Sequence, residues 1–305
     1  MTIDILPEDV LLDIFDLLVV ESHVFEAERW WRTLAHVCRK WRIVVFGSPH
    51  RLNLRLVCSD RTSVREMLDV WPPLPIVIHQ TGRPKSGWDN IIAALKLKDR
   101  VCQITMELDR QRKKVLRAMQ EPFPALTHLN LSSDIEILPV ALMGRSAPRL
   151  RYLELKHVPI RGLPELLLSA TDLVHLDLLS IPRSGYISPE AIVACLSTLP
   201  RLEMLHLAFE SPHGSRPIHG IRRLPQATRS VLPALIRFCF TGVREYLEDL
   251  VARFDSPQLD HLDIIFFNQL ISDTPQLTQF IGRTPRLKVR CTCMLQHSLT
   301  YCKLS

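Results

Sequence analysis

A short apolar unit recurs along most of this chain. Residues 147–155 read APRLRYLEL, and the same order of apolar positions, L-x-x-L-x-L, returns with one or two conservative replacements at residues 123–131, 171–178, 199–207, 232–240 and 256–264. A weaker copy begins at residue 284. Apolar residues two positions apart point to one side of an extended strand, so each copy predicts a short strand with one buried edge. No single copy can bury that edge alone, so the copies must pack against one another.

The spacing of the units resembles that of leucine-rich repeats. Successive units begin 23 to 33 residues apart, and the mean of about 27 lies in the leucine-rich-repeat range. Proline stands two residues before the first leucine in six of the seven units, where it ends a preceding helix and starts an extended segment. The first apolar residues are Leu126, Leu150, Leu173, Leu202, Leu235, Leu259 and Leu287.

The segments between the units carry helical periodicity. Residues 243–254 place their apolar side chains on one helical stripe. Ser188, Pro189 and Glu190 supply an N-cap, a first-turn proline and an early acid, which predicts a helix through Leu196. Residues 274–280 imitate a repeat unit but lie too close to the previous one, so we predict a helix there. Strand and helix in alternation predict an α/β fold, a solenoid of parallel strands beginning near residue 51.

The units lack the Asn or Cys that usually follows L-x-x-L-x-L in leucine-rich repeats. Asp134, Val158, Ile181 and Glu210 occupy that position instead. Because no side-chain ladder can form there, we expect an irregular array.

The N-terminal segment has a different pattern. Residues 6–19 begin with proline and two acids and then stack apolar residues on one helical face. Residues 30–46 continue with apolar residues at helical spacing, so two or three short helices are expected before the repeats.

This segment resembles an F-box, the helical module through which ubiquitin-ligase receptors dock on a Skp-type adaptor. The resemblance is carried by LPEDVLLDIF at residues 6–15 and HVCRKW at residues 36–41. With WRIVVFGSPHRLNLRL and VWPPLPIVI further on, the chain is similar to fungal F-box proteins with divergent leucine-rich repeats. By resemblance, the adaptor-binding residues are Leu6, Pro7, Val10, Leu11, Ile14, Phe15, Val37, Cys38 and Trp41.

The resemblance implies a non-catalytic substrate receptor of a Skp-cullin-F-box ubiquitin ligase. Its partners would be a Skp-type adaptor, a cullin through that adaptor, and a target protein. The implied organisation is an F-box-like domain at residues 1–50, an irregular leucine-rich-repeat solenoid at 51–290, and an unstructured or atypical tail at 291–305. The segment between Phe15 and Val37 is longer than in compact F-boxes, which indicates an inserted turn or an extended second helix. The alternative is a leucine-rich-repeat scaffold whose N-terminal helices only cap the solenoid.

Composition argues against several other classes of protein. The net charge is +6, but basic residues are spread over the chain without a nucleic-acid-binding motif, so no nucleic-acid partner is expected. No apolar run approaches the roughly 20 residues of a membrane span, so no membrane partner is expected. The eight cysteines have no disulfide framework spacing, which is typical of a cytoplasmic or nuclear protein.

The sequence offers no catalytic motif, phosphate-binding loop or common zinc spacing, so we expect no enzyme activity, cofactor or metal. Cys291, Cys293, His297 and Cys302 match no usual metal site. Residues 211–230 form a basic stretch that we interpret as an exposed loop, either a docking segment or a tolerated insertion.

The outward-facing strand positions are the candidate target-binding surface. Each unit places two side chains away from the core, and the resulting columns contain aromatic and acidic residues on a basic protein. We expect a partner with basic residues, although exposed strand positions can also be polar without binding anything. The candidate residues are His128, Tyr152, Glu154, His175, Asp177, His206, His261 and Asp263.

Overall fold

A computed structural model describes residues 6–18, 24–61, 64–80, 87–108, 113–133, 141–158, 163–210, 229–267, 274–287, 291–296 and 299–304. The described strands are mostly parallel and alternate with helices, so the predicted α/β class is confirmed. The chain forms two compact units, Met1–Thr105 and Met106–Ser305, and each is considered by itself. The predicted domain boundaries at residues 50 and 290 stay predictions.

The first unit joins three helices to the start of a parallel sheet. Strand β2 pairs with β1 on one side and with β3 on the other, both in parallel. Helices α4 and α5 connect these strands, as parallel pairing requires. Strand β3 begins in this unit and runs past its boundary. The elements are α1 (Glu8–Leu18), α2 (Val24–Val37), α3 (Arg39–Gly47), β1 (Leu56–Cys58), α4 (Val64–Val70), β2 (Ile76–His79), α5 (Trp88–Leu95) and β3 (Val101–Leu108).

The helical spacing of residues 30–46 is interrupted at Cys38. The backbone of Cys38 is extended, with φ −156° and ψ 172°, so α2 ends at Val37 and α3 begins at Arg39. The Cys38 Sγ atom accepts a hydrogen bond from the Trp41 backbone N–H at 3.5 Å and thereby caps α3. Three helices therefore precede the first strand, within the predicted number. The second is 14 residues long, which fits the extended helix expected there.

An aromatic cluster holds the helices on the first strands. The Trp31 and Trp71 rings meet edge to face with centroids 5.2 Å apart, and the Arg32 guanidinium lies 5.7 Å and 5.4 Å from their centroids. The Trp31 indole N–H donates to the Arg55 carbonyl at 3.2 Å. Because Trp71 follows α4 and Arg55 precedes β1, this cluster joins α2 to the sheet. Edge-to-face ring pairs are worth about 0.5–1.5 kcal/mol beyond their buried area.

The second unit is built on a six-stranded parallel sheet in the order β4-β5-β6-β7-β9-β11. A short parallel pair, β8 with β10, and an antiparallel pair, β12 with β13, complete its described strands. The elements are α6 (Lys113–Ala118), β4 (His128–Ser133), β5 (Tyr152–Lys156), α7 (Leu163–Ser169), β6 (His175–Ile181), α8 (Pro189–Leu196), β7 (Met204–Phe209), β8 (Ser230–Val231), β9 (Arg237–Gly242), α9 (Arg244–Val251), β10 (Phe254–Asp255), β11 (His261–Phe266), α10 (Pro275–Gly282), β12 (Cys291–Gln296) and β13 (Leu299–Leu304).

The recurring leucines form the core of this unit. Each of the first six units places its first leucine in the interior, at most 1% exposed, whereas Leu287 of the weaker copy is half-buried. The two later apolar positions of each unit, such as Leu153 and Leu155, are also buried. Fully burying one such side chain stabilises the fold by about 1.5–3 kcal/mol. In the unit at residues 232–240, phenylalanine stands at both later positions, and its rings contact other aromatic rings, such as Phe238 with Phe254 at a centroid distance of 6.0 Å.

The array is irregular where the sequence lacks the usual Asn or Cys. His157 and Ser180, one residue before Val158 and Ile181, have φ angles of 56° and 50°. The pairing of β6 with β7 also shifts register between Leu178 and Ile181. Val158 and Ile181 themselves are buried apolar residues, so they cannot hydrogen-bond successive turns. Asp134 lies outside the described residues.

Two helix predictions are confirmed and one is shortened. Ser188 caps α8 by accepting a hydrogen bond from the Ala191 backbone N–H at 3.3 Å, and residues 275–282 form α10. Helix α9 ends at Val251, and Phe254, predicted in the same helix, begins β10. The Ser230 backbone N–H donates to the Arg253 carbonyl at 2.9 Å, next to the pairing of β8 with β10. The chain is therefore extended at Phe254 because it pairs there with another strand.

Several predicted features fall outside the described residues: residues 211–228 of the basic stretch and the side chains of the cysteines in the tail. In the tail itself, the antiparallel pair β12–β13 departs from the parallel pattern of the repeats. None of the described helices is long and apolar enough to cross a membrane.

Replacement of Gly87 by alanine tests a close backbone approach in the first unit. Gly87 has φ +91°, and an added Cβ would lie 1.9 Å from the Asp60 carbonyl oxygen. We expect Gly87→Ala to lower the free energy of unfolding by about 2 kcal/mol, because the backbone must shift or remain strained. Urea denaturation measures the change. Gly47→Ala is the control, since nothing lies within 4 Å of its added Cβ; equal effects of both substitutions would contradict the assignment.

Candidate functional site

Helix α1 presents three different faces along its length. With 3.6 residues per turn, residues four and seven apart share a face. Leu11 and Phe15 form the buried face and are both 0% exposed. Asp9, Asp13 and Asp16 form an acidic face, and Val10, Ile14 and Leu17 form a third face that is apolar.

The buried face fixes α1 on α3. The Phe15 ring meets the Trp41 ring edge to face with centroids 4.9 Å apart. The Lys40 ammonium donates to the Leu6 carbonyl at 2.7 Å, which holds the chain just before α1. Leu11 and Phe15 were predicted to contact an adaptor, but their side chains are enclosed by the unit itself. They position the helix rather than present a surface.

The acidic face is held by one cation. The Arg51 guanidinium lies 2.5 Å from an Asp13 carboxylate oxygen and 2.8 Å from an Asp16 carboxylate oxygen. Hydrogen bonds to Asp16 and Asp13 raise the pKa of Arg51. The contact ties α1 to the turn after α3, although all three groups remain open to solvent.

The third face is an exposed apolar stripe, which we call the α1 stripe: Val10, Ile14 and Leu17. Their side chains are 37%, 36% and 84% exposed. Pro7 is exposed at the start of the same helix, and Val37 is 53% exposed at the end of α2. Leu6, Cys38 and Trp41 are half-buried. Of the predicted adaptor-binding residues, Pro7, Val10, Ile14 and Val37 are therefore accessible, and Leu17 is an accessible residue that the motif match missed.

The second candidate surface is the solvent-facing side of the six-stranded sheet, which we call the open face. Strand register aligns its side chains in two columns, as the sequence predicts. The first column is His128, Tyr152, His175, Met204, Arg237 and His261. The second is Asn130, Glu154, Asp177, His206, Cys239 and Asp263. All eight predicted target-binding residues lie on this face.

A hydrogen-bonded group occupies the centre of β4, β5 and β6. The Tyr152 hydroxyl donates to a Glu154 carboxylate oxygen at 2.8 Å and approaches an Asp177 carboxylate oxygen at 3.4 Å. The Asn130 amide donates to the same Glu154 oxygen at 2.6 Å. Burial and the Glu154 carboxylate raise the pKa of Tyr152, so the phenol remains a donor. Neither Glu154 nor Asp177 forms an ion pair with another described residue.

The two residues that follow the carboxylates in the second column, His206 and Cys239, are neutral. Burial lowers the pKa of His206, despite the opposing effect of Asp177, Asp263 and Glu154. Burial, reinforced by Asp263, raises the pKa of the Cys239 thiol to about 11. Its Sγ atom lies 3.9 Å from an Asp263 carboxylate oxygen. At neutral pH, His206 and Cys239 therefore separate the Glu154–Asp177 pair from Asp263 without carrying charge.

Rings flank the carboxylates in the first column. The His128 and Tyr152 rings are stacked with centroids 6.0 Å apart, and the Tyr152 and His175 centroids are 5.8 Å apart. Two exposed cations, Arg237 and Lys156, lie on either side of the second column. Lys156 lies two residues after Glu154 on β5, beyond the two predicted columns. The sequence-based prediction stopped at Glu154, although the same two-residue alternation continues to Lys156.

Comparison of the chain with protein-family models gives no match, and comparison with the curated proteins gives none either. The two surfaces therefore have to be interpreted from their own chemistry. The α1 stripe can bind an apolar partner surface, and the open face can bind cations between carboxylates and rings.

Removal of the Asp263 carboxylate tests the environment of Cys239. In Asp263→Asn, the thiol loses a nearby negative charge, so its pKa should fall and its thiolate fraction at pH 8.5 should rise. We expect alkylation by iodoacetamide about two- to tenfold faster at Cys239, because the thiolate is the reacting form.

Mass spectrometry of the alkylated peptides measures this rate. Cys195 is the internal control, since burial alone raises its pKa. An unchanged or slower reaction at Cys239 would contradict the described electrostatics.

Proposed function

We propose that the protein is a substrate receptor of a Skp-cullin-F-box ubiquitin ligase. Its N-terminal helices would dock a Skp-type adaptor, and the open face, as the inner surface of a leucine-rich-repeat solenoid, would hold a target protein. The receptor would perform no chemistry itself. Ubiquitin transfer would follow from the high effective concentration of the tethered target.

The observation that carries the proposal is the α1 stripe. A helix that only caps a core needs one apolar face, and Leu11 and Phe15 already supply it. A second apolar face left to solvent gains nothing for the isolated chain, whereas an apolar patch rimmed by charge is typical of a protein-docking site. Two of its three residues, Val10 and Ile14, belong to the LPEDVLLDIF segment, whose resemblance to the F-box motif implies adaptor contact there.

The alternative function is a repeat scaffold with a helical cap. It is favoured by the contacts that fix α1, which are the ring contact of Phe15 and the ion pairs of Arg51. It is also favoured by the hydrogen bond from Trp31 to the Arg55 carbonyl, just before β1. Such contacts serve a cap as well as a docking module. The α1 stripe is the feature that this alternative leaves without a role.

Adaptor binding by the full chain tests the proposal. We expect the wild-type protein to bind a purified Skp-type adaptor and the Val10→Ala, Ile14→Ala variant to bind about tenfold more weakly, since burial of each CH₂ group contributes about 0.8 kcal/mol and about a third of each side chain is open to a partner. Isothermal titration calorimetry measures the affinity, and circular dichroism checks that the variant is folded.

The matched control is Leu168→Ala, Val231→Ala, which removes exposed apolar groups from the second unit. It should bind like the wild type. Failure of folded wild-type protein to bind any Skp-type adaptor would leave the scaffold function in its place.

A further inference from the structure

The antiparallel pair β12–β13 brings two cysteines of the tail to opposed positions. Cys293 of β12 is the register partner of Cys302 of β13. We infer that these two residues form a reversible disulfide, a redox-sensitive modification site that fastens the two strands together. The site follows from backbone register and sequence alone, and it is independent of the proposed receptor function.

The backbone distance at this position suits a disulfide. Directly opposed residues of an antiparallel pair have Cα atoms about 4.5 to 5.5 Å apart. A disulfide joins cysteines whose Cα atoms are about 4.4 to 6.8 Å apart. Directly opposed residues also share one face of the pair. The bond between Cys293 and Cys302 can therefore form without movement of either strand.

The register selects one pairing among the three cysteines of the tail. Cys291 opposes Leu304, so it lies diagonal to Cys302. Diagonal neighbours are about 7 to 8 Å apart, beyond the usual span of a disulfide. Cys291 and Cys293 are two residues apart on one strand, and a rise of about 3.4 Å per residue places their Cα atoms about 7 Å apart. The predicted bond therefore joins Cys293 to Cys302 and leaves the Cys291 thiol reduced.

The fastened strands lie at the end of the parallel sheet. Strand β11 is the last strand in the order of the six-stranded sheet, and β13 lies against it. An edge strand presents N–H and C=O groups that can pair with another chain. A bond that keeps β13 joined to β12 strengthens the cover beside this edge.

The bond forms by thiol–disulfide exchange with a small disulfide such as oxidised glutathione. One cysteine thiolate attacks a sulfur of the reagent, which gives a mixed disulfide and releases one small thiolate. The second cysteine thiolate then displaces the other half of the reagent and closes the protein disulfide. Two cysteine thiols are oxidised, one small disulfide is reduced to two thiols, and the two protons pass to those thiols. In the reducing compartment that the cysteine spacing predicts, the pair stays reduced until such disulfides accumulate.

Disulfide mapping in the full-length protein tests the inference. The reduced, folded protein is equilibrated with mixtures of oxidised and reduced glutathione, the remaining thiols are blocked with iodoacetamide, and chymotryptic peptides are analysed by mass spectrometry. Cleavage after Leu295 and Tyr301 separates the two strands unless a disulfide joins them. We expect a linked peptide with the bond between Cys293 and Cys302 and with Cys291 alkylated.

Serine variants distinguish the register from proximity along the chain. Cys291→Ser should keep the disulfide. Cys293→Ser should need a mixture at least about tenfold more oxidising to join its two remaining cysteines, since their diagonal distance requires backbone movement. In concentrated urea, where no register exists, the two variants should oxidise alike, because their loops differ by only two residues. Absence of the bond between Cys293 and Cys302 in folded protein at every mixture, or an equal or greater yield of a bond to Cys291, would overturn the inference.

Hydrogen exchange measures the consequence for the strands. Oxidation of the wild type should slow amide exchange in β12 and β13 at least about tenfold, because a cross-link restricts the opened state. Cys302→Ser under the same oxidant should show no change, which separates the disulfide from other effects of the reagent. Equal exchange in oxidised and reduced wild type would contradict the fastening of the strands. No adaptor takes part in these measurements, so the inference and the receptor function can fail separately.

Discussion

The in-register parallel pairing of β4, β5, β6, β7, β9 and β11 is the constraint on which the second unit depends. Each strand contributes a side chain to the same position of the core, so residues such as Leu129, Leu153 and Leu176 line up in one buried row. A slip of one residue would move these side chains to solvent and bring charged ones inside. The same pairing necessarily aligns the outward residues, so the columns of the open face are a direct consequence of how the core is packed.

The first unit combines two features in one helix. Helix α1 is attached firmly to the rest of the unit, and its α1 stripe remains exposed to water. Phe15 and Leu11 bury one face of α1, and Arg51 holds the acidic face from the side. With two faces fixed in this way, the orientation of the third is determined. The exposed valine and isoleucine of the α1 stripe therefore occupy defined positions, which would lower the entropic cost if a partner bound them.

The sequence predicts much of this architecture because the repeat has a strict two-residue alternation. Leu150, Leu153 and Leu155 could be assigned to the core and Tyr152 and Glu154 to the surface from that alternation alone. The break at Cys38 was missed because the apolar spacing continues through it, and only the side-chain cap reveals two helices. The burial of Leu11 and Phe15 was missed for another reason: a motif match identifies a helix but does not separate the residues that hold it from those it presents. Hydrogen bonds such as Asn130 to Glu154 depend on side-chain geometry across strands and cannot be predicted from spacing.

Neighbouring carboxylates on adjacent strands oppose folding, so their presence at the centre of the open face needs a physical account. Tyr152 and Asn130 offset part of the cost by donating to Glu154, but neither can neutralise a charge. A lysine at either position would have paired with its neighbour and stabilised the sheet. Local stability alone therefore does not explain this arrangement, in which none of the described residues forms an ion pair with Glu154 or Asp177. The rows of leucine beneath supply the stability that lets such a surface persist.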